Sequence, residues 1–483
     1  MKKFWLLFCF FFAFILVCPF FGCEKRDAIT EYKIDCELND NILTGEETVD
    51  FYNSYSQSLK EIKFNLYPNA YRKNAKYTAV AKEYFYSAYY NGESYGGIEI
   101  LSVANANMPL DYSITGVDQN ILSVNLKNEL FPNERIKIVI KFKVVLANVI
   151  SRTGITEKSI NLADFYPIVC GITGNGFYEC VYYSNGDPFY SDSSNYLVKF
   201  TVDKQFNVAY SGTIINKKEL NEKVTYTIKA NKLKSFALVL SEQFECIEKN
   251  LNGISLRYFF INDENPIQVI SAVEKAVVLF EERFGEFPYE SFSVCQTQFL
   301  EGGMEYSGLV YISDELLDLE KIEVAVHETA HQWWQSGVGN NGIEHAFLDE
   351  GLCEFSVALF FENYTEYNFS YQDIKKSANE NYRLFCSVYN ELFGKIDASI
   401  LRPVYKFSSR YEYVSISYVK SFLMLDSLRE IIGDKNMFSG LKDYYNRFKF
   451  KNATPDDFTA VFLKTFKESE GFFKGFLLGK AIL

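Results

Sequence analysis

The stretch AVHETAHQWWQSG, residues 325–337, carries two of the three histidines in a chain of 483 residues. His327 and His331 stand four apart. On a helix, residues i and i+4 share a face, so two imidazoles in this register can converge on one metal ion. Glu328, beside the first histidine, is placed to reach a water at that metal without itself being a ligand. Catalytic zinc takes three protein ligands and keeps a fourth position open. A third ligand is available in FLDEGLCEF: Glu350 follows His331 after eighteen intervening residues, room for a helix end, a loop and the next helix start. The competing reading is a satisfied, partly buried histidine pair with no chemistry. Histidine is so scarce here that a chance His-Glu-x-x-His has a probability on the order of 10⁻³, which favours the metal. His345 lies outside the motif and reads as a loop or outer residue.

The elements that must hold these residues follow from hydrophobic periodicity. Residues 28–245 read as an all-β domain of the sandwich or saddle kind. EYKIDCEL, RIKIVIKFKVVL, YLVKFTV and KVTYTIKA all alternate with period two, with polar turns between them. Residues 250–483 change character. NPIQVISAVEKAVVLFEERFG predicts a helix with Asn265 as cap, Pro266 in the first turn and Gly285 as stop. SFSVCQTQF and SGLVYIS predict strands, and helical patterns follow around 321–336, 347–362, 415–432 and 457–482. The fold class is therefore β first, then mixed α/β and helical, in two domains.

Composition limits the partners. Net charge is −13 with no basic run, which excludes nucleic acid as a natural partner. The first 23 residues, MKKFWLLFCFFFAFILVCPFFGC, have two lysines before an apolar run from Phe4 to Phe21, the layout of an export signal or membrane anchor. FFGC ending at Cys23 resembles a bacterial lipoprotein cleavage site, although Phe20 stands where such sites usually carry leucine. Lipoprotein, uncleaved anchor and ordinary secretion all place the remainder outside the cytoplasm. Beyond the leader, seven scattered cysteines form no CxxC pair, so most read as small core residues. A Cys170–Cys180 bridge is the one option that spacing leaves open.

The motif set resembles a family. HETAHQWW followed by Glu350 in DEG is similar to the gluzincin zinc metallopeptidases, and within them to the aminopeptidase N family. GGMEY, Gly302 to Tyr306, resembles that family's Gly-x-Met-Glu-Asn exopeptidase motif. SYVKSFLML resembles its tyrosine segment, and FNLYPNAY and GDPFYS resemble stretches of bacterial members. The resemblance runs from about residue 30 to the C-terminus. It implies a thermolysin-like catalytic domain and one Zn2+ per chain, held by His327, His331 and Glu350. Glu328 is implied as general base and then acid, and Tyr418 as hydrogen-bond donor to the oxyanion, with Tyr413 a weaker candidate. Glu305 would pair with the α-ammonium of a peptide, Gly302, Gly303 and Met304 would line the substrate, and SGLVYIS would be the edge strand along which the peptide lies. Asp349 and Glu354 are candidates for orienting a histidine. Two positions depart from the pattern: Tyr306 replaces asparagine, which bears on how the amino end is held, and Ser421 replaces glycine. The long helical C-terminal domain of larger relatives is not expected, which would leave the cleft more open. The function implied is a membrane-attached, extracytoplasmic zinc aminopeptidase acting on peptides. Its rivals are a zinc endopeptidase, a hydrolase of a non-peptide substrate, and a surface-binding module with a structural zinc.

Overall fold

The computed structural model describes residues 28–174, 176–183, 185–464, 466 and 469–481. The export segment, with Cys9, Cys18 and the lipidation candidate Cys23, lies outside the described residues. Among the described residues no helix is long and apolar enough to cross a membrane.

The β domain is built on an eight-stranded sheet. Its strands are β1 (Thr30–Asn39), β2 (Ile42–Tyr52), β3 (Gly97–Asn105), β4 (Met108–Pro109), β5 (Arg135–Val145), β6 (Ser194–Asp203), β7 (Thr213–Leu220) and β8 (Lys223–Leu233), in the order β7-β8-β6-β1-β2-β5-β3-β4. Only β1 and β6 pair in parallel; the other neighbours are antiparallel. Period-two alternation does what the sequence predicts. Ile34, Cys36 and Leu38 of β1, and Ile138, Ile140, Phe142 and Val144 of β5, point inward while the lysines and acids between them face water. Gly45 sits opposite Phe142, and a Cβ there would meet the ring at 2.5 Å, so the pairing needs glycine. Two four-stranded sheets and the two-stranded pair Ile172–Thr173 with Gly176–Phe177 complete the domain among the described residues. One four-stranded sheet is ordered Asn207–Tyr210, Ala237–Ser241, Ile160–Ala163, Gly154–Ile155, and the other Ile168–Val169, Leu59–Asn65, Ile121–Leu130, Tyr112–Thr115.

The second part opens with a five-stranded sheet: β9 (Glu245–Leu251), β10 (Ile254–Phe260), β11 (Ser291–Thr297), β12 (Gly303–Met304) and β13 (Leu309–Ser313), in the order β9-β10-β11-β13-β12. Helix α1 (Pro266–Phe284) joins the parallel strands β10 and β11, with Pro266 in its first turn and Gly285 at φ 123° as its stop. Asn265 occupies the cap position, but its side chain accepts no capping hydrogen bond. SGLVYIS is not the edge strand expected from the sequence. It forms β13, paired on both sides by β11 and β12, and the edge is the two-residue strand Gly303–Met304.

Helices α2 (Asp318–Ala330), α3 (Glu350–Asn363), α4 (Tyr371–Phe393), α5 (Ser421–Phe448), α6 (Pro455–Leu463) and α7 (Ser469–Leu477) pack beyond the sheet. Helix α4 was not expected. Its buried residues Tyr371, Ile374, Ala378, Tyr382 and Phe385 keep helical spacing but are diluted by polar neighbours, and a Ser370–Asp373 capping box starts it. The pattern read as one helix over 321–336 stops at residue 330, after which Gln335 takes a φ of 108°. Cys36, Cys170, Cys180, Cys295 and Cys353 are buried free thiols, so Cys170 and Cys180 form no bridge.

Candidate active site

Two tryptophans fix the end of the histidine helix. The Trp333 indole donates to the Gly285 carbonyl at 2.9 Å and packs edge-on against Phe280, while the Trp334 indole donates to Ser356 of α3 at 3.1 Å. Each buried indole brings its polar tip to a partner and its rings to the core. They tie α2 to α1 and to α3, so the two ligand-bearing segments cannot drift apart.

On this frame His327 and His331 face each other with their Nε2 atoms 3.1 Å apart. Glu350, at the first turn of α3, brings Oε2 to 3.3 Å and 3.4 Å from the two nitrogens. The far side of each ring is occupied. His331 Nδ1 lies 3.0 Å from the Trp334 carbonyl, and His327 Nδ1 lies 3.0 Å from Glu354 Oε1. A carbonyl and a carboxylate only accept, so the Nδ1 atoms carry the protons and the Nε2 lone pairs point inward. Three acceptors thus converge on one point with no donor between them. Burial works against charge on both imidazoles, but the Glu350 carboxylate raises their affinity for a proton, the positive charge that a metal ion would supply in a proton's place. Burial likewise opposes charge on Glu350, but the two imidazoles hold it well below the ordinary carboxylate range. The point wants positive charge, and the donor set of two imidazoles and a carboxylate fits zinc. Cys353, one turn on, has its sulfur within 4.8 Å of the histidine nitrogens. Burial and the surrounding carboxylates push its thiol well up, so Glu350 is the better third ligand.

Of the two outer carboxylates proposed from the sequence, Glu354 does orient His327. Asp349 instead caps α3, accepting from the Glu350 amide at 2.8 Å and from Asn340 at 2.9 Å. His345 ends the short helix Gly342–His345 and joins neither cluster of metal-binding groups.

Glu328 is buried, and burial pushes its carboxyl up to about 7, the histidines opposing and Glu350 and Asp187 adding. That range suits a group that must both take and give a proton near neutrality. Its Oε1 fronts β12 so closely that a Cβ at position 303 would lie 2.2 Å away, which is why position 303 holds glycine. Gly302, at φ 87°, turns the chain into the strand. Glu305 then stands across from the histidines: one oxygen each of Glu305 and Glu328 and a nitrogen of His331 all lie within 4.8 Å of one another. Glu305 is held well above the usual carboxylate range, first by burial and then by Asp187, Glu328 and Glu350. Tyr306 turns its ring into the core against Tyr311 (5.1 Å) and Phe189 (6.1 Å). The Gln332 side chain accepts from the Gly308 amide at 2.8 Å and donates to the Tyr306 carbonyl at 3.3 Å, clamping this loop to the end of α2.

Tyr418 lies in a π-helical turn, Val414–Lys420, a distortion that recurs at functional sites. Its ring is parallel to His327 (6.1 Å, 11°), and Tyr413 stands edge-on to it at 5.6 Å. Burial, and then Glu350, hold its phenol well above the usual range, so it remains a donor. Ser421, the small residue in the glycine's place, packs on Gly351, where a Cβ would meet its own at 2.4 Å. The short helix bearing Tyr413 is met by the β domain at Gly186.

Two residues at the site were not identified from the sequence. Arg152 and Asp187 both come from the β domain. Buried Arg152 donates to Asp187 at 2.7 Å and Glu301 at 3.0 Å, and its Nε lies 3.1 Å from the Met304 sulfur. Asp187 acts electrostatically on Glu305, Glu328 and Tyr418, so it faces the same space. GDPFYS marks the Asp187 loop in the sequence, but nothing local marks Arg152.

Residues 270–473 match the profile of the Peptidase family M1 domain. The chain is 22% identical over 400 residues to the probable aminopeptidase 1 of Saccharolobus solfataricus, covering 76% of this chain and 49% of the relative. It is 26% identical over 203 residues to leucine aminopeptidase 2 of Aspergillus fumigatus, covering 41% and 31%. It therefore spans half or less of these relatives' lengths. Among solved structures, the M1 zinc metallopeptidase of Deinococcus radiodurans superposes with a TM-score of 0.67 at 15% identity over 94% of this chain and 95% of the other. A glutamate-to-alanine variant of that protein with a Tyr-Ser-Ala substrate superposes at 0.66. The two-part architecture, β domain then sheet-and-helix domain, is thus the two-domain metallopeptidase fold.

Proposed function

We propose that this chain, whose residues 270–473 match the Peptidase family M1 domain, is a zinc-dependent aminopeptidase that removes N-terminal residues from peptides. His327, His331 and Glu350 would hold the zinc. Zinc, when bound, supplies Lewis acidity, polarising a carbonyl and making water acidic near neutral pH. Glu328 takes the proton of the attacking water on its carboxylate and returns it to the leaving amine. Tyr418 donates its phenol hydrogen toward the oxygen on which negative charge develops. The edge strand Gly303–Met304 offers unpaired backbone to an extended peptide.

The observation that carries the exopeptidase assignment is Glu305. It is a buried carboxylate with no cation in contact among the described residues, set across from the candidate ligand histidines, and Asp187 is a second carboxylate whose charge acts on it. A substrate's α-ammonium is the missing positive charge, and an acylated terminus cannot supply it. The test is a panel of fluorogenic aminoacyl amides, each free and N-acetylated, with and without a chelator. Chelator-sensitive cleavage of the free amines alone is expected; equal cleavage of the acetylated set would refute the exopeptidase assignment.

Attachment to a membrane, outside the cytoplasm, is also proposed, on the strength of the leader sequence alone. Replacing Cys23→Ala should release a lipoprotein from the membrane fraction. Unchanged retention would exclude lipidation at Cys23.

A further inference from the structure

Arg410 stands three residues before Tyr413 at the start of the short helix Arg410–Tyr413, half-buried at the cleft. Its guanidinium lies 5.7 Å from the ring of Tyr84, which the β domain contributes. Glu301, Tyr418 and Arg152 are among the groups whose charge acts on it, which sets it in the neighbourhood of both the Glu301 turn and the tyrosine turn. The other guanidinium there, Arg152, is committed to two carboxylates and a methionine sulfur. Among the described residues no carboxylate comes within 4.0 Å of Arg410. The wall is otherwise acidic, and Asp187, Glu301 and Glu305 are accounted for by Arg152 or by the α-ammonium. That leaves one planar, five-donor cation without a carboxylate in contact among the described residues, one helical turn before Tyr413.

We propose that Arg410 is a specificity residue that receives a carboxylate of the substrate. The inference rests on the aminopeptidase reading. On a short peptide that carboxylate has two sources: the side chain of an N-terminal Asp or Glu, or the C-terminus of a di- or tripeptide. Both present the same planar anion to the guanidinium fork. A long neutral peptide presents neither.

The test uses wild-type enzyme, Arg410→Gln and Arg410→Lys on two matched pairs. Glu- and Gln-para-nitroanilide differ only in a side-chain carboxylate. Leu-Gly and Leu-Gly-amide differ only in the terminal one. In wild type one pair should favour the carboxylate by about tenfold or more in kcat/KM, chiefly through KM, as expected for a charge-assisted hydrogen bond. In Arg410→Gln that ratio should fall to about one, with Arg410→Lys between. Which pair responds identifies the source. A wild-type ratio near one in both pairs, or a ratio that survives Arg410→Gln, would overturn the proposal. So would an equal loss on both members of each pair, which would mean that Arg410 only holds the tyrosine turn. Leu-para-nitroanilide separates the two readings. If wild type cleaves it without any carboxylate preference, only this inference fails; if wild type cleaves no free-amine substrate, the aminopeptidase reading itself fails.

Discussion

The two walls of the cleft use the same residue type in opposite states. On the metal wall Glu350 is buried but touched by two imidazoles, and it is held ionised well below the usual carboxylate range. On the facing wall Glu305 is equally buried, touched by no cation, and pushed the other way. Burial alone disfavours both charges; what differs is the partner. The metal wall has its partners, two imidazoles, built in. The facing wall has no cation in contact with Glu305 among the described residues, and under the proposed function the free amino terminus of a peptide supplies it. The β domain supplies a third case. Glu47 of β2 is fully buried, with neither oxygen hydrogen-bonded, and burial pushes it well up. It has the burial of Glu305 without a cleft in front of it.

The sharpest way to break the comparison is to disable one wall at a time. Tyr418→Phe removes the donor that leans over the metal wall and leaves the ring stacked on His327. A fall in kcat on the order of 10²–10³ with KM little changed is expected in steady-state assays. Glu305→Ala acts on the facing wall and should cost less, about thirtyfold in kcat/KM on free-amine substrates. Its signature is selective: the gap between free and N-acetylated substrates should close, and a uniform loss on both would remove Glu305 from ammonium recognition.

Glu47→Gln should leave kinetics alone and change stability. Glu47 has a folded pKa raised above its ordinary 4.5, so its contribution is fully present below that value and is lost as pH rises. The thermal midpoint of Glu47→Gln should therefore overtake that of wild type progressively above about pH 4.5. A constant offset across pH 4–8 would mean that the group is not buried as a neutral acid.

The metal wall was legible in the sequence because it is local. One helical turn sets the histidine spacing, Trp333 and Trp334 follow directly, and Glu350 opens the next long helix, so residues 327–354 contain the ligands and their supports. The facing wall, over residues 152, 187 and 301–305, and the tyrosine turn, over 410–418, are scattered along the chain, and only folding brings them together. Family motifs marked Glu305 and Tyr418, but spacing gave no warning of Arg152, whose neighbours in the chain are ordinary loop residues. Strand periodicity identified the β domain because half-buried antiparallel strands alternate strictly. The sheet edge was misplaced by the family resemblance, while periodicity rightly made SGLVYIS a strand. SGLVYIS is the stronger strand signal, whereas a two-residue strand of glycine and methionine has no periodicity to read. Helix α4 escaped because its apolar stripe is narrow and set among lysine, asparagine and glutamate.

The central claim is that Glu328 moves the proton in a site whose metal is held by others. Glu328→Gln keeps the side chain's shape and leaves His327, His331 and Glu350 untouched. Zinc content and the rate on Leu-para-nitroanilide should be measured on the same preparation. One zinc per chain and a rate lower by a factor on the order of 10²–10⁴ are expected. A zinc-loaded Glu328→Gln enzyme that turns over at the wild-type rate would contradict the claim.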